Sequence, residues 1–288
     1  MSSLTASLLL LLTATIWGVA FVAQDVSTEF LGTFTFTGIR FFIGATVLLP
    51  IIAMRRRQRE VKVDENRRLF KGSIFCGLAL FAACNLQQYA LIGAGAGKAG
   101  FLTSLYNIFT PLMMFLLGKR VSRRIFLCAV MATFGMYILC MDGGFRIDSW
   151  DLYLVACAIM FALQVLCIDH FAADLDGLEL SSAQFYVVAI LSLAIAFASE
   201  EISYSAIRDC LVPILYAGFL SCAIAYTLQV VAQKYVRPNL ATLIMSLESV
   251  VAAVAGYLIL GDALTAREMT GCAVVLASVV LAQLSQDR

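Results

Sequence analysis

The sequence predicts an all-α integral membrane fold, ten transmembrane helices built from two inverted five-helix repeats. Three observations carry that expectation. Hydrophobic residues make up 61% of the chain and charged residues 14%, whereas a soluble domain is nearer half apolar and a quarter charged. Apolar stretches of roughly 20 residues, enough to cross about 30 Å of hydrocarbon as a helix, recur almost without a break. The first half of the chain is also echoed in the second. The alternating ten-residue segments of a membrane β-barrel are absent from the sequence.

The first expected span is 4–23. It has no basic flank ahead of it and no clear small-residue cleavage site after it, so it reads as a retained helix and not a signal peptide. The second span, 33–53, ends at a basic run from Arg55 to Lys71. That run is a topogenic signal, with contact to anionic headgroups as a further use. The third and fourth spans, 72–92 and 98–117, are joined through GAGAGK. These glycines permit a tight turn, but the spacing is not that of a phosphate-binding loop. Lys98 reads as an interface lysine that snorkels. The remaining spans are 124–141, 150–168, 182–199, 211–231, 239–259 and 269–285, with short connections that imply antiparallel hairpins. Small-residue faces in the fifth and tenth spans permit dimer contacts without requiring them, so the oligomeric state stays open. The nine cysteines fall in or beside apolar runs and form no CxxC, so neither a disulfide framework nor a metal site is expected.

Orientation follows from lysine and arginine in the connections. Fifteen such residues fall on one side of a ten-span arrangement and four on the other. Both termini are therefore expected in the cytoplasm, in a multi-pass protein of a bacterial plasma membrane. The connection DHFAADLDGLEL shares the basic side although its own charges are acidic.

The echo between the halves is ordered. Leu86-Gln87 matches Leu228-Gln229, and Ser104-Leu105 matches Ser246-Leu247 at one constant offset. Gly118 falls near Gly261, and Cys128-Ala129-Val130 opposite Cys272-Ala273-Val274. Two homologous halves follow, 1–145 and 146–288. An odd number of spans per half forces the second half to be inverted relative to the first. Such halves can exchange inward-open and outward-open arrangements, with a binding site near the midplane.

TIWGVAFVAQ, FTFTGIRFFIGA and SLESVVAAVAGYLILGDALTAREMTG resemble the EamA family of the drug/metabolite transporter superfamily. The resemblance spans the whole chain: a Trp-Gly in the first helix, an arginine in the second, and an LG(D/E)-x-LT turn after the ninth. Asp262 stands where the family usually has glutamate. Ser249 stands where a proline often follows the family's glutamate, so no proline marks a helix break there. The resemblance implies a transporter of amino acids or other small metabolites.

Glu248 is the residue that most needs an explanation. A charge at the bilayer centre costs about 2.5–3.5 kcal/mol or more, and Glu248 lies near the middle of span nine. Its counterpart in the first half is Tyr106. Thr103, Asn107 and Thr110 share a helical face with Tyr106, and Pro111 removes a backbone donor in the same span. Tyr226, Gln229 and Gln233 share a face of span eight. Asn85, Gln88 and Tyr89, with Gln87 adjacent, are the polar residues of span three, and Thr13, Trp17 and Gln24 share a face of span one. The candidate substrate-binding residues are Trp17, Arg40, Tyr106, Asn107, Gln229 and Glu248. For the amides and hydroxyls, helix–helix hydrogen bonding is the competing use. For Trp17 it is an interfacial anchor. Arg40 is the other ionisable residue well inside a span. Three arrangements stay open. Glu248 binds a cationic solute beside Trp17 and Tyr106. It carries a proton as coupling ion. Or it pairs with Arg40, leaving a neutral site suited to a zwitterion.

No catalytic constellation, cofactor motif, nucleic-acid-binding patch or ATP-binding domain is legible, so an enzyme is not expected. The expected function is a secondary transporter of a small polar metabolite, an amino acid or organic amine, working by alternating access. The competing class is a non-transporting membrane scaffold or receptor, for which midplane polar substitutions would alter stability alone.

Overall fold

Inside a bilayer every backbone N–H and C=O must bond within the chain, and helices achieve this locally. A computed structural model describes residues 1–57, 63–94, 96–141, 148–255 and 265–284, and these fold almost wholly into helices. They are α1 (Ser3–Ser27), α2 (Thr33–Arg56), α3 (Val63–Ala94), α4 (Ala96–Thr103), α5 (Tyr106–Leu116), α6 (Arg123–Cys140) and α7 (Ser149–Phe171) in the first part. There follow α8 (Gly177–Ser199), α9 (Tyr204–Asp209), α10 (Leu211–Leu215), a π-helix (Tyr216–Tyr226), α11 (Thr227–Gln233), α12 (Pro238–Met245), α13 (Leu247–Ala255) and α14 (Ala266–Leu284).

Among the described residues, nine helical runs are long and apolar enough to span a bilayer. The fourth run joins α4 to α5, and the eighth joins α10, the π-helix and α11. The expected ninth span is a shorter apolar run, Pro238–Val254. Its last expected residues, 256–259, lie outside the described residues, as do most of the LGDALT turn and the boundary at 145/146.

The long pairings are α2 with α8, α3 with α7 and with α8, α6 with α14, and α1 with α13 and the π-helix. The small-residue faces of α6 and α14 meet each other within the chain. A Cβ on Gly271 would lie 2.6 Å from the backbone nitrogen of Leu139 and 2.8 Å from the oxygen of Gly135, so the two backbones touch there. Those faces serve packing inside the chain. Apolar side chains such as Leu4, Leu8, Phe75 and Phe197 face outward and exposed, as lipid contact requires.

Two helix ends are tied by long-range polar contacts. The start of α2 has no side-chain cap of its own. Instead the Glu200 carboxylate, beyond α8, accepts from the N–H groups of Phe34 (2.9 Å) and Thr35 (2.8 Å) and from the Thr35 hydroxyl (2.7 Å). At the other end of the same helix pair, the Arg56 fork meets Glu179 at 2.9 and 2.7 Å.

That second end gathers the basic connections. Lys119 meets Asp169 at 2.8 Å, Arg68 meets Asp174 at 2.9 Å, and Arg55 meets Asp176 at 3.4 Å. Lys234 donates to the carbonyl of Leu175. The acidic α7–α8 connection thus sits among the basic ones because its carboxylates pair with their cations. At the opposite end Lys98 is ion-paired to Asp148 (2.8 Å) and Asp151 (2.6 Å), which together cap α7. Lys98 is a clip between α4 and α7, not simply an interface lysine.

Candidate functional site

The fourth span is broken, and the break falls at Ser104-Leu105. The Ser104 hydroxyl donates to Phe101 O at 2.6 Å, and that carbonyl is where the Leu105 N–H would bond in a continuous helix. The Leu105 N–H turns to Leu102 O, and Asn107 and Ile108 likewise bond three residues back. The same device recurs in the second half. The Ser246 hydroxyl donates to Leu243 O at 2.7 Å, and the helix is interrupted at Ser246 between α12 and α13. The Ser-Leu pair repeated in the sequence is therefore the position where each span breaks, with no proline at the breakpoint. Pro111 lies inside α5, beyond the break.

Each break delivers one polar residue to the middle of the bundle. Tyr106 opens α5, and Glu248 stands in the first turn of α13. A carboxylate there is favoured by the positive end of the helix dipole. Gly18 lets α1 approach: a Cβ on it would lie 2.5 Å from Glu248 O and 2.9 Å from the Val251 Cβ. This contact brings Trp17 and Phe21 to the same cavity.

The cavity is walled by Trp17 and Phe21 of α1, Gln87 of α3, Thr103 and Tyr106 of the broken fourth span, and Phe161, Gln164 and Val165 of α7. Tyr226, Gln229, Met245 and Glu248 complete it. Trp17 and Tyr226 pack with ring centres 4.6 Å apart. Gln229 Nε2 donates to Gln164 Oε1 at 3.3 Å, and Gln87 Nε2 to Thr103 Oγ1 at 3.3 Å. Among the described residues the Trp17 Nε1, Tyr106 hydroxyl, Gln164 Nε2 and Gln229 Oε1 are buried without a partner. The Glu248 carboxylate, 5% exposed, makes no hydrogen bond or ion pair with them. Buried polar atoms normally find partners, so this set is poised for a ligand or solvent. The cavity volume is about 40 Å³.

Of the six candidate residues, Trp17, Tyr106, Gln229 and Glu248 meet at this cavity, while Arg40 and Asn107 do not line it. Arg40 is 1% exposed. Its guanidinium lies over the rings of Phe36 (5.4 Å) and Phe41 (5.1 Å), and no ion pair joins it to Glu248 among the described residues. Phe41 in turn packs on Tyr226 at 5.7 Å, so Arg40 stands one ring layer behind the wall. Asn107 is fully buried with both amide atoms unpartnered. Both residues follow the break within α5, where successive positions stand about 100° apart round the helix, so Asn107 faces a different side from Tyr106. The polar residues of span three divide. Gln88 bonds Gln24 O and the Ser27 hydroxyl, and Asn85 bonds Ser192, so both stitch helices together. Gln87 alone of these lines the cavity. Sequence reasoning missed Phe161 and Gln164, although a glutamine in the middle of the sixth apolar run was a usable signal.

Comparison with known proteins places this architecture. The model of the EamA-like transporter family matches residues 4–141 and again 148–284. An uncharacterized transporter of Archaeoglobus fulgidus is 28% identical over 98% of this chain and 86% of its own length. The uncharacterized transporter YoaV of Bacillus subtilis is 21% identical over 92% of each chain. A crystal structure superposes with a TM-score of 0.82 over 99% of this chain and 98% of its own at 19% identity, a likeness of fold. Two matches to one family model, each covering one half and each containing the same Ser-Leu break, make this chain a multi-pass membrane protein that belongs to the EamA-like transporter family.

Proposed function

We propose that the protein is a secondary transporter that carries a small polar metabolite bearing an amine, an amino acid or organic amine, by alternating access between two inverted halves. The observation that carries this reading is the Glu248 carboxylate. It lines a central cavity beside Trp17 and Tyr106 and has no ion-pair partner among the described residues. A cationic group would neutralise it, and the Trp17 face would add about 0.5–2 kcal/mol of cation–π attraction. The pairing with Arg40 that would suit a neutral site finds no support in the geometry.

Three further features support the mechanism. The helix pairings suit two related halves: α1 packs on α13 as α7 packs on α4 and α5, and the equivalent helices α2 and α8, and α6 and α14, pair with each other. The two halves break at equivalent serines. Ion pairs close one end at Arg56–Glu179 and its neighbours, and the other at Lys98 with Asp148 and Asp151. Metabolite sites commonly enclose about 300–1,000 Å³, so the cavity must widen as one set of contacts opens. In this reading the basic end and both termini face the cytoplasm.

The test is thermal stability of the purified protein against neutral amino acids, polyamines and quaternary amines, for the wild type and Glu248→Gln in parallel. A ligand at one hundred times its Kd stabilises by about 2.7 kcal/mol. One class of amine should raise the wild-type Tm and lose its effect in the variant. Equal responses of both proteins would remove Glu248 from the site. No response in either, with no flux in liposomes, would favour the scaffold.

A further inference from the structure

The basic end of the bundle carries a second concavity, open to the side, between α5 and the first turns of α6. Pro111, Leu112, Phe115, Phe126 and Leu127 line it, with Arg123 at its basic end. It offers about 540 Å³ to water centres, far more than the central cavity and enough for a stretch of acyl chain. Leu112, Phe115, Phe126 and Leu127 are all exposed.

The local backbone builds the polar end of this groove. Gly118 has φ 74°, a conformation that suits glycine. Its N–H bonds Phe115 O, and the Lys119 N–H bonds Met114 O, both at 2.9 Å, which closes α5 and turns the chain back within a few residues. The turn sets Arg123, the first residue of α6, beside the last turn of α5. Ser122 precedes α6 without a side-chain capping bond, so the first N–H donors of that helix are available.

Some cations at this end are paired and others are not. Arg55, Arg56, Arg68 and Lys119 each meet a carboxylate. Arg120, Arg123 and Arg124 meet none among the described residues. A basic pocket between spanning helices at this depth is suited to an anionic headgroup.

We propose that this groove binds an anionic phospholipid, with its phosphate on Arg123 and the start of α6 and an acyl chain along Leu112, Phe115, Phe126 and Leu127. The site is separate from the central cavity and independent of the transport reading. The test is native mass spectrometry of the full chain, purified in mild detergent, with dioleoyl phosphatidylglycerol, dioleoyl phosphatidylcholine or glycerol 3-phosphate. Phosphatidylglycerol should be retained in preference to phosphatidylcholine. Arg123→Gln should lower that retention about fivefold, the weight of one cation at an anionic surface. Arg123→Lys should restore part of it, and Arg208→Gln, at the opposite end, should leave it unchanged. Equal retention of the two lipids, full retention in Arg123→Gln, or displacement of the lipid by glycerol 3-phosphate would each overturn the proposal.

Discussion

Glu248 shows what a single side chain does in this protein and what replacing it should do. With no ion-pair partner among the described residues, Glu248→Gln leaves no cation stranded. Its Tm in detergent should match or exceed the wild-type value. Breaking a buried ion pair would instead cost about 3–5 kcal/mol, and a loss of that size would reveal a structural partner. Asp148 gives the pH-dependent counterpart. Its hydrogen bond to Lys98, reinforced by the N–H groups it caps, holds its carboxyl below the ordinary value of 3.8. A lowered folded value means the contribution is present above the ordinary value and lost as pH falls through the lowered one. The Tm gap between wild type and Asp148→Asn should hold from neutrality to about pH 4 and close below it.

At the scale of helices, the decisive events are breaks and close approaches. The fourth and ninth spans break at Ser104 and Ser246, and the breaks place Tyr106 and Glu248 at the start of new helical segments. The eleven-residue π-helix ends at Tyr226, which meets Trp17 at the cavity wall. Wide turns of this kind are rare and concentrate at functional sites. Gly18→Ala should push α1 off α13, since its Cβ would sit 2.5 Å from Glu248 O. Overpacking of this sort costs about 1–3 kcal/mol, readable as a lower Tm together with a weakened ligand response. Glu200→Ala removes the cap on α2 without touching the cavity. It should cost about 1–2 kcal/mol and leave any ligand-induced Tm shift intact.

For the whole molecule, the charge distribution and the ion pairs agree on which connections share an end. Lys119, Arg68, Arg55 and Arg56 all reach the acidic α7–α8 connection. If the basic end is cytoplasmic, a cysteine placed at Tyr204, which is exposed beyond α8, should react with an impermeant maleimide on intact cells. A cysteine at Arg120 should react only after permeabilisation. The reverse pattern would invert the orientation and with it the direction assigned to each set of end contacts.

How far the sequence reaches differs by residue. Apolar length and composition determined that the chain spans the membrane, because the bilayer sets a helix length that can be counted. The repeated Ser-Leu was legible as a match between the halves, but only the geometry shows that each span breaks there. Trp17, Tyr106, Gln229 and Glu248 were readable as polar or aromatic interruptions of apolar runs. Asn107 stands next to Tyr106 in α5 but about 100° further round the helix, and it does not line the cavity. The sequence left open whether Arg40 and Glu248 meet, how the α6 and α14 small-residue faces are used, and which partner Lys98 finds. Those are contacts between segments far apart in the chain. Only tertiary packing decides them, because helical periodicity records which face a residue occupies and not which helix lies opposite.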